Sequence, residues 1–314
     1  MSYETKLLEI RKKIDDLINF AKEKRIDLSE EIEREEKLYK EEAEKVYANL
    51  TDWDKVSIAR NPERPYTLDY IQEITTDFLE LHGDRVFGDD GAVIGGFCRI
   101  DNHKFMVIGI QKGRTVKEKV ERNFGMSNPE GYRKALRLMK LAEKFHIPVL
   151  TLIDTSGAYP GLEAEERGQG EAIARNLMEM SGLKTPIIAV IIGEGGSGGA
   201  LGLGVADKVF MLEYSVYSVI SPEGCAAILF KDGKEAPKAA KNLKISAQNL
   251  KKLGVIDEII EEPFGGAHKN LKCAAINLKK IVLSSIQELE KINIDTLLEN
   301  RYNKFRRMGN FIEK

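Results

Sequence analysis

Leu7, Ile10, Ile14 and Leu17 fall at alternating spacings of three and four, and Leu28, Ile32, Tyr39, Ala43, Val46 and Leu50 continue in the same period. That is the repeat of one helix face, and the other positions of this stretch are dense in Glu, Lys and Arg. Two amphipathic helices folded as a hairpin are predicted, with Ser29 as N-cap of the second. Beyond residue 60 the pattern changes. Thr67 to Leu81 reads as helix. Ala92–Ile100 and Lys104–Ile110 are apolar runs of strand length, joined through Asp101–His103 as a hairpin. Pro129–Phe145 has the helical period, with Ala135, Leu138, Met139 and Ala142 inward. Pro148–Ile153 is a short buried strand that ends in the loop 154–161.

The order then repeats. Ala164–Met180 reads as helix, Pro186–Ile192 as strand, and the glycine-rich run 193–204 as a turn and short helix. Val209–Leu212 and Ser215–Ile220 are strands. Ser221 and Pro222 open a helix as N-cap and first helical residue. Val255–Ile260 is a last strand, and 268–309 is helical and basic. Alternating strands and helices of these lengths define an α/β fold with a buried, largely parallel sheet.

Composition narrows the function classes. The 314 residues are 42% hydrophobic and 31% charged, with a formal net charge of -2. That balance describes a soluble globular chain and gives no sign of a nucleic-acid or membrane-surface partner. The first residues have no basic stretch followed by an apolar one, and the apolar runs fall short of the roughly 20 residues of a membrane span. Cys98, Cys225 and Cys273 are scattered. Such spacing suits the cytoplasm and predicts neither a disulfide framework nor a metal site.

Three motifs overlap on the glycine run. Gly193, Gly195 and Gly198 match G-x-G-x-x-G, with Glu213 placed where a ribose-binding acid would stand. An NAD(P)-dependent oxidoreductase is therefore the alternative reading. Gly195–Gly199 also matches G-x-S-x-G, which would make Ser197 a nucleophile and His268 its base. The third reading uses only backbone. N–H groups at the start of a short helix gather negative charge, and 154–161 is a second loop that follows a strand and precedes a helix. Two such loops on one sheet edge would form an oxyanion hole from Gly157, Ala158, Gly198 and Gly199. This reading is preferred, because the helix after Gly198 is too short and too glycine-broken for a dinucleotide crossover.

Ten blocks then carry a resemblance, densest from 61 to 269. They are RPYTLDY from Arg64, QKGR from Gln111, RNFGM from Arg122, PEGYRKALRLM from Pro129 and GAYPG from Gly157. AEERGQ from Ala164, EAIARNL from Glu171, GEGGSGGAL from Gly193, YSVISPEGCA from Tyr217 and PFGGAH from Pro263 complete them. In this order they resemble the alpha subunits of the bacterial-type, multi-subunit acetyl-CoA carboxylase carboxyltransferase.

The resemblance implies a crotonase-like (ClpP/crotonase) superhelix of ββα units. It implies a helical N-terminal arm over 1–60 for subunit contact, a carboxyltransferase domain over 61–266 and a helical C-terminal segment over 267–314. It further implies transfer of a carboxyl group from carboxybiotin, held on a biotin carboxyl carrier protein, to acetyl-CoA, forming malonyl-CoA for fatty-acid synthesis. Activity would require a zinc-bearing beta subunit in an α2β2 assembly, with biotin carboxylase supplying carboxybiotin. The backbone groups of Gly157, Ala158, Gly198 and Gly199 would then face the biotin ureido oxygen. Ser156, Tyr159, Gly195, Gly196, Ser197, Lys112 and Arg114 are the expected substrate contacts, although structural ion pairing explains Lys112 and Arg114 equally well. Ser156 and Gly170 depart from the side chains commoner at those places in the family. Glu165, Glu166 and Arg167 are read first as helix-capping residues. The basic stretch Arg301–Arg307 is read first as solvated, with contact to an acidic partner as the alternative.

Overall fold

The computed structural model describes residues 4–309, in two compact units, one ending at Thr51 and the other beginning at Asp52. The first unit is a helical hairpin of α1 (Thr5–Lys24) and α2 (Ser29–Ala48). Leu7, Ile10 and Ile14 on one helix and Ala43 and Tyr47 on the other are buried, as their helical period requires. Lys6–Glu42 and Lys13–Glu35 pairs, each at 2.6 Å, bridge the two helices. The cap of α2 differs from expectation. Ser29 is the first helical residue, and Asp27 Oδ1 accepts from its N–H and its hydroxyl, at 3.0 and 2.6 Å.

The second unit begins with α3 (Asp52–Ala59), which the sequence pattern did not announce. Val56 and Ala59 of that helix pack with Val216, Ala240 and Ile245. Next come α4 (Thr67–Ile74), β1 (Thr76–Glu80), β2 (Val93–Ile100), β3 (His103–Ile110), α5 (Val116–Glu121) and α6 (Pro129–Lys144). The chain continues through β4 (Val149–Thr155), α7 (Leu162–Glu166), α8 (Gln169–Ser181), β5 (Ile187–Gly196), α9 (Ser197–Leu201), β6 (Lys208–Leu212) and β7 (Val216–Ser218). It closes with α10 (Pro222–Phe230), α11 (Ala236–Leu243), α12 (Ala247–Lys252), β8 (Glu258–Ile260), α13 (Leu271–Leu289) and α14 (Ile294–Arg306).

Among the described residues eight strands form one sheet, in the order β1-β2-β3-β4-β5-β6-β8, and β7 pairs with β5 outside that path. β1, β2 and β3 are antiparallel neighbours, and β3 through β8 are parallel. Strand alternation sends Ile188, Val190 and Ile192 into the core shared with α4 and α13. It sends Ile187, Ala189 and Ile191 into the opposite core with Leu138 and Met139 of α6. Both sheet faces are covered, which is why the central strands read as continuous apolar runs.

Three predicted elements change in detail. The helix expected over 67–81 stops at Ile74, because Thr75 is extended (φ -118°, ψ 158°) and the chain continues as β1. β-Branched Thr75 and Thr76 favour that switch. The helix expected over 164–180 breaks at Gly168, whose φ of 82° suits glycine, giving α7 and α8. β5 runs on through Gly196, so Gly193–Gly196 are strand residues rather than a turn.

The basic C-terminal stretch is also not solvated throughout. Arg301 is 1% exposed and holds Asp207 through Nε and a terminal nitrogen at 2.8 and 2.7 Å. It also donates to the carbonyls of Met180, Leu183 and Thr185. Lys304 pairs with Asp257. Among the described residues no helix is long and apolar enough to cross a membrane. Arg301→Ala leaves Asp207 buried without its partner, and the expected loss is about 3–5 kcal/mol. Urea unfolding of the two proteins measures this, and a difference below about 0.5 kcal/mol would contradict the anchoring role.

Candidate active site

β4 and β5 are parallel neighbours, so the segments leaving their C-terminal ends emerge side by side. Asp154, at the end of β4, is 1% exposed. Its Oδ1 accepts from the Glu194 N–H of β5 at 2.9 Å and from Lys112 Nζ at 2.6 Å. One carboxylate thus ties the start of the 154–161 loop to the glycine run. A second tether lies just before it: the fully buried Arg64 donates Nε to the Ile192 carbonyl at 2.8 Å and pairs with Glu262. Glu262 in turn accepts from the N–H groups of Tyr214 and Ala267.

The glycines of the run answer to this apposition. A β-carbon at Gly193 would lie 2.5 Å from Asp154 Oδ1, and one at Gly196 would lie 2.1 Å from the Ser156 carbonyl oxygen. At Gly199 it would lie 2.5 Å from the Ala158 nitrogen, and at Gly195 it would press on the Tyr217 ring at 2.9 Å. Side chains are excluded because the 154–161 loop and, at Gly195, the Tyr217 ring of β7 occupy the space. Gly198 is different: its β-carbon would meet nothing closer than Ile173, at 3.7 Å.

All four residues predicted to donate from the backbone are therefore brought together, with Gly199 against Gly157 and Ala158. Their N–H groups are not equivalently placed. The Gly157 N–H is taken up by Thr155 Oγ1 at 3.1 Å. Gly198 and Gly199 stand in the first turn of α9, where no helical carbonyl precedes them to accept. Ser197, just ahead, is exposed and has φ 51°, a conformation uncommon for a residue with a side chain. Ser156 is exposed and Tyr159 half-buried, with the Tyr159 N–H on the Ser127 carbonyl. Ser197 and Gly198 also line a largely apolar cavity of about 400 Å³, whose other walls include Leu201, Tyr217, Val219, Leu250 and Phe305. Burial pushes the Tyr217 hydroxyl up to about 12, so it stays protonated at neutral pH.

The charged residues expected at the site have internal partners. Lys112 is held by Asp154. Arg114 pairs with Asp69 at 2.5 Å, donates to the carbonyls of Pro62 and Arg64, and stacks 4.1 Å over the Tyr66 ring. Glu165 sits in the first turn of α7, as a dipole-matched residue should. Arg167 instead crosses to α6, where its Nε donates to Glu130 Oε1 at 2.7 Å. Arg60, Glu194, Asp154 and Tyr132 escaped the sequence reading. Arg60 is partly desolvated, yet Glu194 at 2.6 Å and Glu223 at 2.5 Å hold it firmly charged beside the run.

The two side-chain readings of the run fail on geometry. A dinucleotide turn needs Gly193–Gly196 free to wrap a pyrophosphate, but Glu194, Gly195 and Gly196 are paired with β7, and Gly195 also with β4. Burial raises the Glu213 carboxyl above its ordinary range, and its Oε2 accepts from the Glu262 N–H instead of facing a ligand. For a hydrolase, His268 would have to reach Ser197. Its Nε2 lies 3.2 Å from Asn61 Nδ2, and burial lowers its proton affinity. Among the described residues no group of three or more His, Cys, Asp or Glu is placed to hold a metal.

The steric contrast between neighbouring glycines is measurable. Gly199→Ala drives a β-carbon into the backbone of Gly157 and Ala158, with an expected cost of about 1–3 kcal/mol. Gly198→Ala is expected to change stability by no more than about 0.5 kcal/mol. Equal unfolding midpoints for the two variants would show that the loops are not in fixed contact.

Residues 1–309 match the family model described as acetyl co-enzyme A carboxylase carboxyltransferase-like. The acetyl-coenzyme A carboxylase carboxyl transferase subunit alpha of Fusobacterium nucleatum subsp. nucleatum is 63% identical, with 99% of each chain covered. That of Geobacter metallireducens is 54% identical, over 100% of this chain and 98% of the relative. Two solved structures share the fold at low identity. The Pseudomonas malonate decarboxylase hetero-tetramer, solved with coenzyme A, has a TM-score of 0.57 at 14% identity, covering 74% of this chain and 91% of that one. Transcarboxylase 12S has a TM-score of 0.55 at 19% identity, covering 72% of this chain and 44% of that chain. The fold is therefore the crotonase-like one of these enzymes, and the chain belongs to the family of acetyl-CoA carboxylase carboxyltransferase alpha subunits.

Proposed function

We propose that this chain is the half of a carboxyltransferase that binds carboxybiotin, and that with a beta subunit it passes the carboxyl group to acetyl-CoA to give malonyl-CoA. The family membership sets the reaction class. The observation that carries the site assignment is the contact of Gly199 with the Gly157–Ala158 backbone, which puts two sets of amide groups at one place.

Carboxybiotin supplies an activated carboxyl group and, once that group has left, a basic ring nitrogen able to take a proton from the acetyl methyl. The chain's own task is electrostatic. Where negative charge would develop on the ureido oxygen of bound carboxybiotin, fixed N–H dipoles would lower its energy without reorganising. Gly198 and Gly199 serve as principal donors and Ala158 as the donor from the second loop. The Gly157 N–H, already bonded to Thr155 Oγ1, supports the loop rather than the ligand. The open flank of Gly198 lets the ligand approach its amide. The adjoining cavity, of a size typical for small-molecule sites, takes the apolar part of the ligand.

Ser156, Ser197 and Tyr159 flank the ring, with Gly195 and Gly196 giving the backbone its shape. Lys112 and Arg114, with their internal partners, hold the walls in place instead of binding substrate. No side-chain general base is required of this chain. The wider assembly is an α2β2 complex with a zinc-bearing beta subunit, served in the cytoplasm by a biotin carboxyl carrier protein and a biotin carboxylase.

The purified chain mixed with a beta subunit is expected to catalyse biotin-dependent decarboxylation of malonyl-CoA, and the chain alone is not. Gly198→Val should lower kcat by about 10²–10³, the usual loss of an oxyanion donor, with the circular dichroism spectrum unchanged. Full activity in that variant would contradict the loop assignment; an inactive wild-type mixture would contradict the function.

A further inference from the structure

The six carbonyl groups from Gly198 to Leu203 all accept hydrogen bonds. The Gly198 carbonyl accepts from the Gly202 N–H at 2.9 Å, Ala200 from Leu203 at 3.1 Å, and Leu201 from Gly204 at 2.9 Å. The other three go to side chains of three different elements. Tyr132 of α6 donates its hydroxyl to the Gly199 carbonyl at 3.3 Å. Asn176 of α8 donates to the Gly202 carbonyl at 3.1 Å and, through the same amide, to the Tyr132 carbonyl at 3.1 Å. Thr151 of β4 donates to the Leu203 carbonyl at 2.9 Å. All three side chains are fully buried.

A helix of five residues has too few internal bonds to hold its own direction. Its carbonyl end is instead gripped by donors fixed in the core, while its N–H end is left to face outward. Tyr132 also presses its ring on the Gly202 backbone, where an added β-carbon would lie 3.0 Å away. The grip therefore acts in direction as well as in distance.

We infer that Tyr132, Asn176 and Thr151 are positioning residues for the reaction, which aim the Gly198 and Gly199 amides through the carbonyl end of the short helix. The inference rests on the carboxyltransferase reading above for its kinetic consequence, and on geometry alone for its structural one. Tyr132→Phe removes a single hydroxyl and keeps the ring packing, and Thr151→Val removes a donor at almost constant volume.

In the complex with the beta subunit, Tyr132→Phe is expected to lower kcat about tenfold, because small displacements of catalytic groups are costly. The KM for biotin and the melting temperature should stay near wild-type values. In a Gly198→Val background the same change should have almost no further effect, since residues acting through one site are not additive. Hydrogen exchange of a peptide spanning 194–203 should quicken in Tyr132→Phe and Thr151→Val with the rest of the sheet unaffected. An equal loss of kcat in both backgrounds, or unchanged exchange in this peptide for both variants, would overturn the inference. An inactive wild-type complex would instead remove the carboxyltransferase reading, and the exchange result would still decide whether the grip exists.

Discussion

The site depends on one buried carboxylate at a parallel strand pair. Asp154 ends β4, and its Oδ1 receives the Glu194 N–H of β5 and the Lys112 ammonium together. Burying such a charge is costly unless it is paired and hydrogen-bonded, and removing a partner from a buried pair is correspondingly disruptive. Because the Glu194 amide is one of the partners, the charge holds two strand ends at a set spacing. Everything beyond them inherits that spacing: the Ser156 carbonyl against Gly196, Ala158 against Gly199, and the outward turn of α9. Arg64 reinforces the arrangement by binding the Ile192 carbonyl.

This origin changes what the glycines mean. A glycine-rich run after a strand invites the idea of a ligand that must touch backbone, and here the glycines other than Gly198 press on other parts of the same chain. Only Gly198 has an open flank. The energetic logic is one of preorganisation. On the proposed function, the folding energy of the buried tethers holds amide dipoles where charge would develop, so little rearrangement would be needed during reaction.

Much of this was legible in the sequence. The apolar period marked the helical hairpin, the β2–β3 hairpin, α6 and the central strands, because each buries one face or both in the interior of its own unit. The pairing of the 154–161 loop with the glycine run was legible too, since equivalent loops of adjacent parallel strands share an edge. The helix end at Ile74 was not, because the choice between continuing helix and an edge strand is made by pairing with β2, a tertiary contact. Arg301 read as a solvated residue because its partner, Asp207, is distant in sequence. Tyr132 and Asn176 sat within ordinary helical patterns. Nothing local distinguishes a core tyrosine from one whose hydroxyl caps a carbonyl of α9, and only the crossing of α6, α8 and α9 reveals it. The family resemblance supplied the reaction, and the structure supplied the steric reason for glycine at 193, 195, 196 and 199.

The central claim is that backbone amides from both loops face one ligand oxygen. A crystal structure of the complex with its beta subunit and a bound biotin measures this directly. The account predicts the ureido oxygen about 2.7–3.1 Å from the amide nitrogen of Gly198 or Gly199, with the Ala158 amide on its other side. A biotin whose ureido oxygen is bound by side chains away from these loops would contradict it.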